Sequence, residues 1–167
     1  KVVGSRLLGL LSVNKLSDAR KLIEDLMLSN PELAGIGLAN NKGELILTSE
    51  SLGHQELINL KNNPETKSSF DSVLKSDQLV MGRTYFMPNL QEWAVPLRIA
   101  LKNESGLVSS IMTVGLNFKN LEKAWLGDSL PSHLKLLVLR GDLYRQFASF
   151  VGPKDYQEWI AKPLPEE

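Results

Sequence analysis

Leu16, Ala19, Ile23 and Leu26 recur at spacings of three and four, with Asp18, Arg20, Lys21, Glu24 and Asp25 between them. That period predicts an amphipathic helix whose apolar stripe faces a core. Ser17 is a candidate cap, and the apolar segment Ser5 to Val13 is also helical in pattern. The two segments read either as separate helices or as one long helix with a weak point near Asn14. Ser29-Asn30-Pro31 ends the pattern, because the residue before proline avoids the helical region. Residues 34–40 then alternate large and small, as in a strand with one face closely approached by another element. Asn41-Lys42-Gly43 supplies a turn, and Glu44 to Ser49 returns as a second strand. From Ser51 to Ser76 the pattern is loop and helix, with Pro64-Glu65 opening a helix that groups Phe70, Val73 and Leu74 on one face. Three strands follow, over residues 79–87, 92–101 and 107–116, separated by Pro88-Asn89 and by the polar turn Lys102 to Gly106.

The order is therefore helix, two strands, helical insert, three antiparallel strands. It predicts an α+β fold: a PAS-like five-stranded antiparallel sheet with the long N-terminal helix on one face and the helical insert on the other. A sheet covered on both faces is apolar in both phases, as Leu79-Val80-Met81 and Ile111-Met112-Thr113-Val114 are. Residues 1–30 are expected to be an N-terminal signalling helix and 31–119 the sheet module. Residues 120–167 are read as a joining helix, Asn120 to Leu126, and a hairpin, Lys135 to Arg140 with Tyr144 to Phe150. Either this tail starts a second, incomplete module or it is an extension packed on the first.

Composition narrows the function. The chain has 167 residues, 43% of them hydrophobic, enough for one substantial core. Nineteen basic residues balance 19 acidic ones with no long Lys/Arg run, so no nucleic-acid partner is expected. With no cysteine, disulfides, thiolate metal sites and a cysteine nucleophile are excluded. Leu7 to Leu11 is far shorter than the roughly 20 residues that span a bilayer. A soluble piece of something larger is the expectation. His54 and His133 lack partners at metal-ligand spacing, and neither a Gly-x-Ser-x-Gly nor a phosphate-cradling glycine loop is present. No metal, cofactor or catalytic residue is expected, and the chain does not read as an enzyme.

Gly82-Arg83-Thr84-Tyr85-Phe86, Pro96-Leu97-Arg98, the turn residue Gly106 and Thr113-Val114-Gly115-Leu116 together resemble the Cache (PAS-like) sensor domains of bacterial transmembrane receptors. The resemblance covers most of residues 1–119 and extends to a double Cache region, of which this would be the membrane-distal part. It implies a periplasmic sensor feeding a histidine kinase, a chemoreceptor or a diguanylate cyclase. Membrane tethering would lie outside the chain, and a homodimer would form through the N-terminal helix. It further implies a small-molecule ligand between the sheet and the insert, with Arg83, Tyr85, Phe86, Trp93 and Thr113 as candidate ligand-binding residues. An inward Arg83 would suit an anionic ligand; alternatively it pairs with an acid such as Asp71 or Asp77, or reaches solvent along its stem. The Arg-x-Trp-Tyr run of amino-acid-binding members is missing, as is the acid near the end of their fifth strand. The competing reading is a PAS-like dimerisation module whose pocket is filled by its own side chains.

Overall fold

The computed structural model describes residues 1–53, 58–120, 131, 133–160 and 162–165. Two N-terminal helices, α1 (Val2–Ser12) and α2 (Leu16–Ser29), meet at Asn14, whose φ is 57°. The Asn14 amide donates to Leu11 O and the Lys15 amide to Leu10 O, the paired bonds that close a helix through one left-handed residue. The weak point near Asn14 is thus a true break. The second helix starts directly at Leu16 with no side-chain cap, so Ser17 does not cap it.

The sheet strands are β1 (Leu33–Asn40), β2 (Leu45–Thr48), β3 (Val80–Met81), β4 (Tyr85–Met87), β5 (Glu92–Lys102) and β6 (Val108–Asn117). All pairings are antiparallel, in the order β2-β1-β6-β5-β3, with β4 also on β5. This is the expected five-stranded arrangement with its third strand divided into β3 and β4. Between them Gly82 leaves strand geometry while its amide still donates to Pro96 O at 2.7 Å. A Cβ at Gly82 would lie 2.5 Å from Pro96 Cγ and 2.8 Å from Ser69 Oγ, so only glycine fits so close to β5.

One face of the sheet packs Ile36, Leu38, Leu101 and Met112 against Leu7, Ala19 and Ile23 of the two helices. From the expected stripe, Ala19 and Ile23 are buried and Leu26 packs at the edge of this core, but Leu16 stays exposed at the helix start. The opposite face packs Ala39, Ala100 and Ile111 against Leu60 and against Phe70 and Val73 of α3 (Pro64–Val73). Asn63 caps α3, its side chain accepting the Glu65 amide at 2.9 Å, and Pro64 takes the first helical position.

In the C-terminal segment, β7 (Leu137–Leu139) and β8 (Arg145–Ala148) form a two-stranded hairpin near the expected residues. Beyond Asn120, the expected joining helix lies outside the described residues. The hairpin is docked on the divided edge strand. Buried Gln146 accepts the Thr84 amide at 2.7 Å through Oε1 and donates to Gly82 O at 2.8 Å through Nε2. Phe118, Phe147, Tyr156 and Ile160 make a separate small core at this end.

Candidate functional site

The site is set by which residues of the sheet are small. On the α3 face, two cross-strand rows run side by side: Gly37, Thr113 and Arg98 in one, Gly35, Gly115 and Pro96 in the next. Gly35 and Gly37 let Leu52 and Leu45 seat directly on the sheet, where a Cβ would lie 2.8 Å from each, and a cavity of about 60 Å³ remains between sheet and insert. Leu45, Leu52, Ile58 and Leu60 form its apolar wall, and Tyr85, Met87, Pro88 and Asn89 its rim. Asn89 Nδ2 donates to Leu52 O at 3.3 Å and ties the β4–β5 turn to the loop opposite. Two larger hollows, about 220 and 270 Å³, lie against α2 and β2 and against the C-terminal core. The smaller cavity is the better candidate despite its size, because it sits between sheet and insert beside the most unusual side chain of the molecule.

That side chain is Arg98. It is 1% exposed, shares its strand face with Pro96 and Ala100, and donates through Nη1 to Ser69 Oγ of α3. Its Nε and Nη2 have no hydrogen-bond partner, and no ion pair reaches it among the described residues. Burial lowers its pKa to about 10, with the neighbouring Tyr85 opposing that fall. Tyr85 is itself buried, which pushes its phenol up, so it stays neutral and keeps a donor proton at physiological pH.

The five expected site residues fall in three places. Tyr85 and Thr113 line the cavity. Arg83 does not: its guanidinium sits 3.3 Å over the Tyr144 ring and donates from Nε and Nη2 to Asp142 at 3.3 and 3.2 Å. Its partner is therefore on the C-terminal hairpin; Asp71 pairs with Lys67 and Asp77 with Lys102. Burial tends to raise the Asp142 carboxyl, but hydrogen bonds and charge from Arg140, together with Arg83, hold it below its usual value. Phe86 and Trp93 are edge to face with centroids 5.7 Å apart, and Trp93 meets Tyr156 at 6.4 Å, so both belong to the C-terminal hollow. Arg98 stands in the motif Pro96-Leu97-Arg98 but not among the five expected site residues, although it is the one charge between Glu92 and Lys102 in a strand apolar in both phases.

No protein-family model matches this chain, and no curated protein matches it by sequence. Solved structures do match. The ligand-binding domain of the Pseudomonas fluorescens chemoreceptor CtaA, in complex with L-alanine, superposes with a TM-score of 0.65 at 13% identity, covering 98% of this chain and 65% of that one. The Vibrio cholerae histidine kinase DctB sensor domain gives 0.57 at 12% identity over 96% and 65%. The Campylobacter jejuni chemoreceptor Tlp3 sensory domain with isoleucine gives 0.59 at 17% identity over 82% and 52%. The chain thus spans about half the length of the Tlp3 domain and two thirds of the others. These neighbours are Cache-type extracytoplasmic domains, and this chain has their α+β, PAS-like fold. No helix among the described residues is long and apolar enough to cross a membrane.

Proposed function

We propose that this chain is the small-molecule-binding part of an extracytoplasmic bacterial sensor, and that its ligand occupies the cavity between the sheet and α3. The carrying observation is the cavity between sheet and insert, lined by Gly115, Pro96 and Thr113 of the sheet, rimmed by Tyr85 and walled by Leu45, Leu52, Ile58 and Leu60. A core serving only to hold the fold would close that space, since an unfilled cavity costs stability. Bound to amino acids in two of the solved neighbours, the same fold supports the reading. Chemistry belongs elsewhere in such a receptor, whether kinase, cyclase or chemotaxis output. The tether and any dimer through the N-terminal helices complete the proposal: ligand binding shifts the population of two arrangements of sheet and helices, and the helices carry the shift to the membrane.

Thermal-shift screening of the purified domain against small organic acids, amino acids and neutral metabolites tests the pocket when run beside Gly115→Val. A Cβ at Gly115 meets Met87 Sδ at 3.6 Å, an ordinary contact, so valine fits the strand and its methyls fill the cavity. The expected result is a compound that raises the midpoint of the wild type and not of Gly115→Val, because stabilisation follows binding to the native state. Hits that shift both proteins equally, or a complete absence of hits, would favour the filled interaction module.

A further inference from the structure

Resting on that pocket, we infer that its ligand is uncharged: a compact, largely apolar molecule whose carbonyl or hydroxyl meets the Tyr85 hydroxyl. Three observations carry this. The first is the lining itself. Leu45, Leu52, Ile58, Leu60, Met87 and Pro96 present hydrocarbon or thioether, and among the described residues no ionisable side chain other than Tyr85 lines the cavity. Burial pushes the Tyr85 phenol up, so it is protonated and neutral at physiological pH. An ion entering such a space sheds its water and meets no counter-charge, which costs far more than moving a neutral group of the same shape.

The second is a free hydroxyl. Tyr85 is 7% exposed, yet its oxygen makes no hydrogen bond to any described residue. Side-chain polar atoms that are both sealed from water and without a partner are confined, among the described residues, to Nε and Nη2 of Arg98. The Tyr85 oxygen is therefore reachable, and the space that Tyr85 lines is the cavity. A buried tyrosine usually finds a partner for its hydroxyl; here the ligand supplies it. One phenol donates one bond and accepts another, which suits a carbonyl or a hydroxyl.

The third is the placing of the nearby charges. Tyr85 feels the Arg98 cation and the Glu65 carboxylate in opposite directions, and neither residue lines the cavity. Arg98 is closed off beside Ser69, so a ligand of either sign finds no charge that it can touch. Entry is at the β4–β5 turn, where Pro88 and Asn89 belong to the rim and are exposed. The leucines and Ile58 then enclose the apolar body of the ligand.

Methyl isopropyl ketone, isobutyrate and isobutyramidinium share one branched skeleton and differ in charge: none, negative and positive. Each is titrated into the isotope-labelled domain while the amides of Thr113 and Gly115 are followed by NMR, in wild type, Tyr85→Phe and Gly115→Val. The ketone is expected to move both amides saturably in wild type, and the two ions to leave them in place at concentrations that saturate the ketone. Tyr85→Phe should keep the wild-type melting midpoint, because the hydroxyl bonds nothing in the protein, and should bind the ketone about three- to tenfold more weakly. Gly115→Val should not respond to it. An ion that moves those amides as strongly as the ketone, or Tyr85→Phe binding the ketone as tightly as wild type, would overturn the inference, and so would silence from all three probes. The pocket has a separate criterion: ion-induced shifts that vanish in Gly115→Val leave it standing with a charged ligand, whereas ketone shifts that persist in that variant remove both.

Discussion

Arg83 and Arg98 show how a residue's role depends on whether its strand is continuous. In Gly82-Arg83-Thr84-Tyr85 a period of two places Arg83 beside Tyr85 on one face, which is the sequence reading. The sheet interrupts itself between Met81 and Tyr85, the alternation fails there, and Arg83 swings out to Asp142 while Tyr85 remains inside. Arg98 lies in the uninterrupted β5, so its inward direction follows from counting two residues on from Pro96. Its energetic consequence can be measured. A guanidinium lowered by burial to about 10 is charged in both folded and unfolded states at neutral pH. Its burial there costs roughly 3 kcal/mol. The sign is set by proton uptake: above about pH 10 the unfolded chain binds the extra proton, so this penalty is fully present below about pH 10 and fades as the pH rises further. Arg98→Met should accordingly be neutral or stabilising by up to a few kcal/mol in urea unfolding. Ser69→Ala, which strands the last donor, should destabilise wild type by about 1–3 kcal/mol and have little effect in the Arg98→Met background. Equal losses from Ser69→Ala in both backgrounds would mean that the Arg98 contact contributes nothing.

Among elements, the divided edge strand is the least legible. Residues 79–87 carry apolar pairs, Leu79-Val80-Met81 and Tyr85-Phe86-Met87, that read as one strand. What separates them is a partner remote in sequence: Gln146 takes the Thr84 amide and donates to Gly82 O, replacing ladder bonds that the interruption leaves open. No local pattern announces that exchange. The rest of the sheet was readable because its signals are local: Gly43 at φ 88° with the Asn40 side chain accepting from Lys42 and Glu44, Pro64 after a capping Asn63, Gly106 at φ 77°. Gln146→Leu keeps the volume and removes both bonds, stranding two buried backbone groups at about 1–3 kcal/mol each. Unfolding by urea should show that loss, and amide hydrogen exchange at Thr84 should accelerate more than at Ile111 in the sheet centre. Uniform acceleration across the sheet would contradict a local role.

At the scale of the whole molecule, the order of elements carried the fold. Helix, hairpin, insert and three strands admit few arrangements once both faces of the sheet must be covered, and sequence identity of 12–17% with the solved neighbours preserves that order. The cavity was not readable in the same way. Its floor depends on Gly35 of β1 and Gly115 of β6 meeting in register, a coincidence of two strands remote in sequence, although the small residues of 34–40 had already marked one half of it. The most direct test of the account is an amide NMR titration with the strongest thermal-shift ligand. The account predicts that the largest shifts fall on Gly35, Gly37, Tyr85, Thr113 and Gly115 and saturate together at one affinity. Perturbations confined to α1 and α2 or to the C-terminal hairpin, with those five amides unmoved, would contradict it.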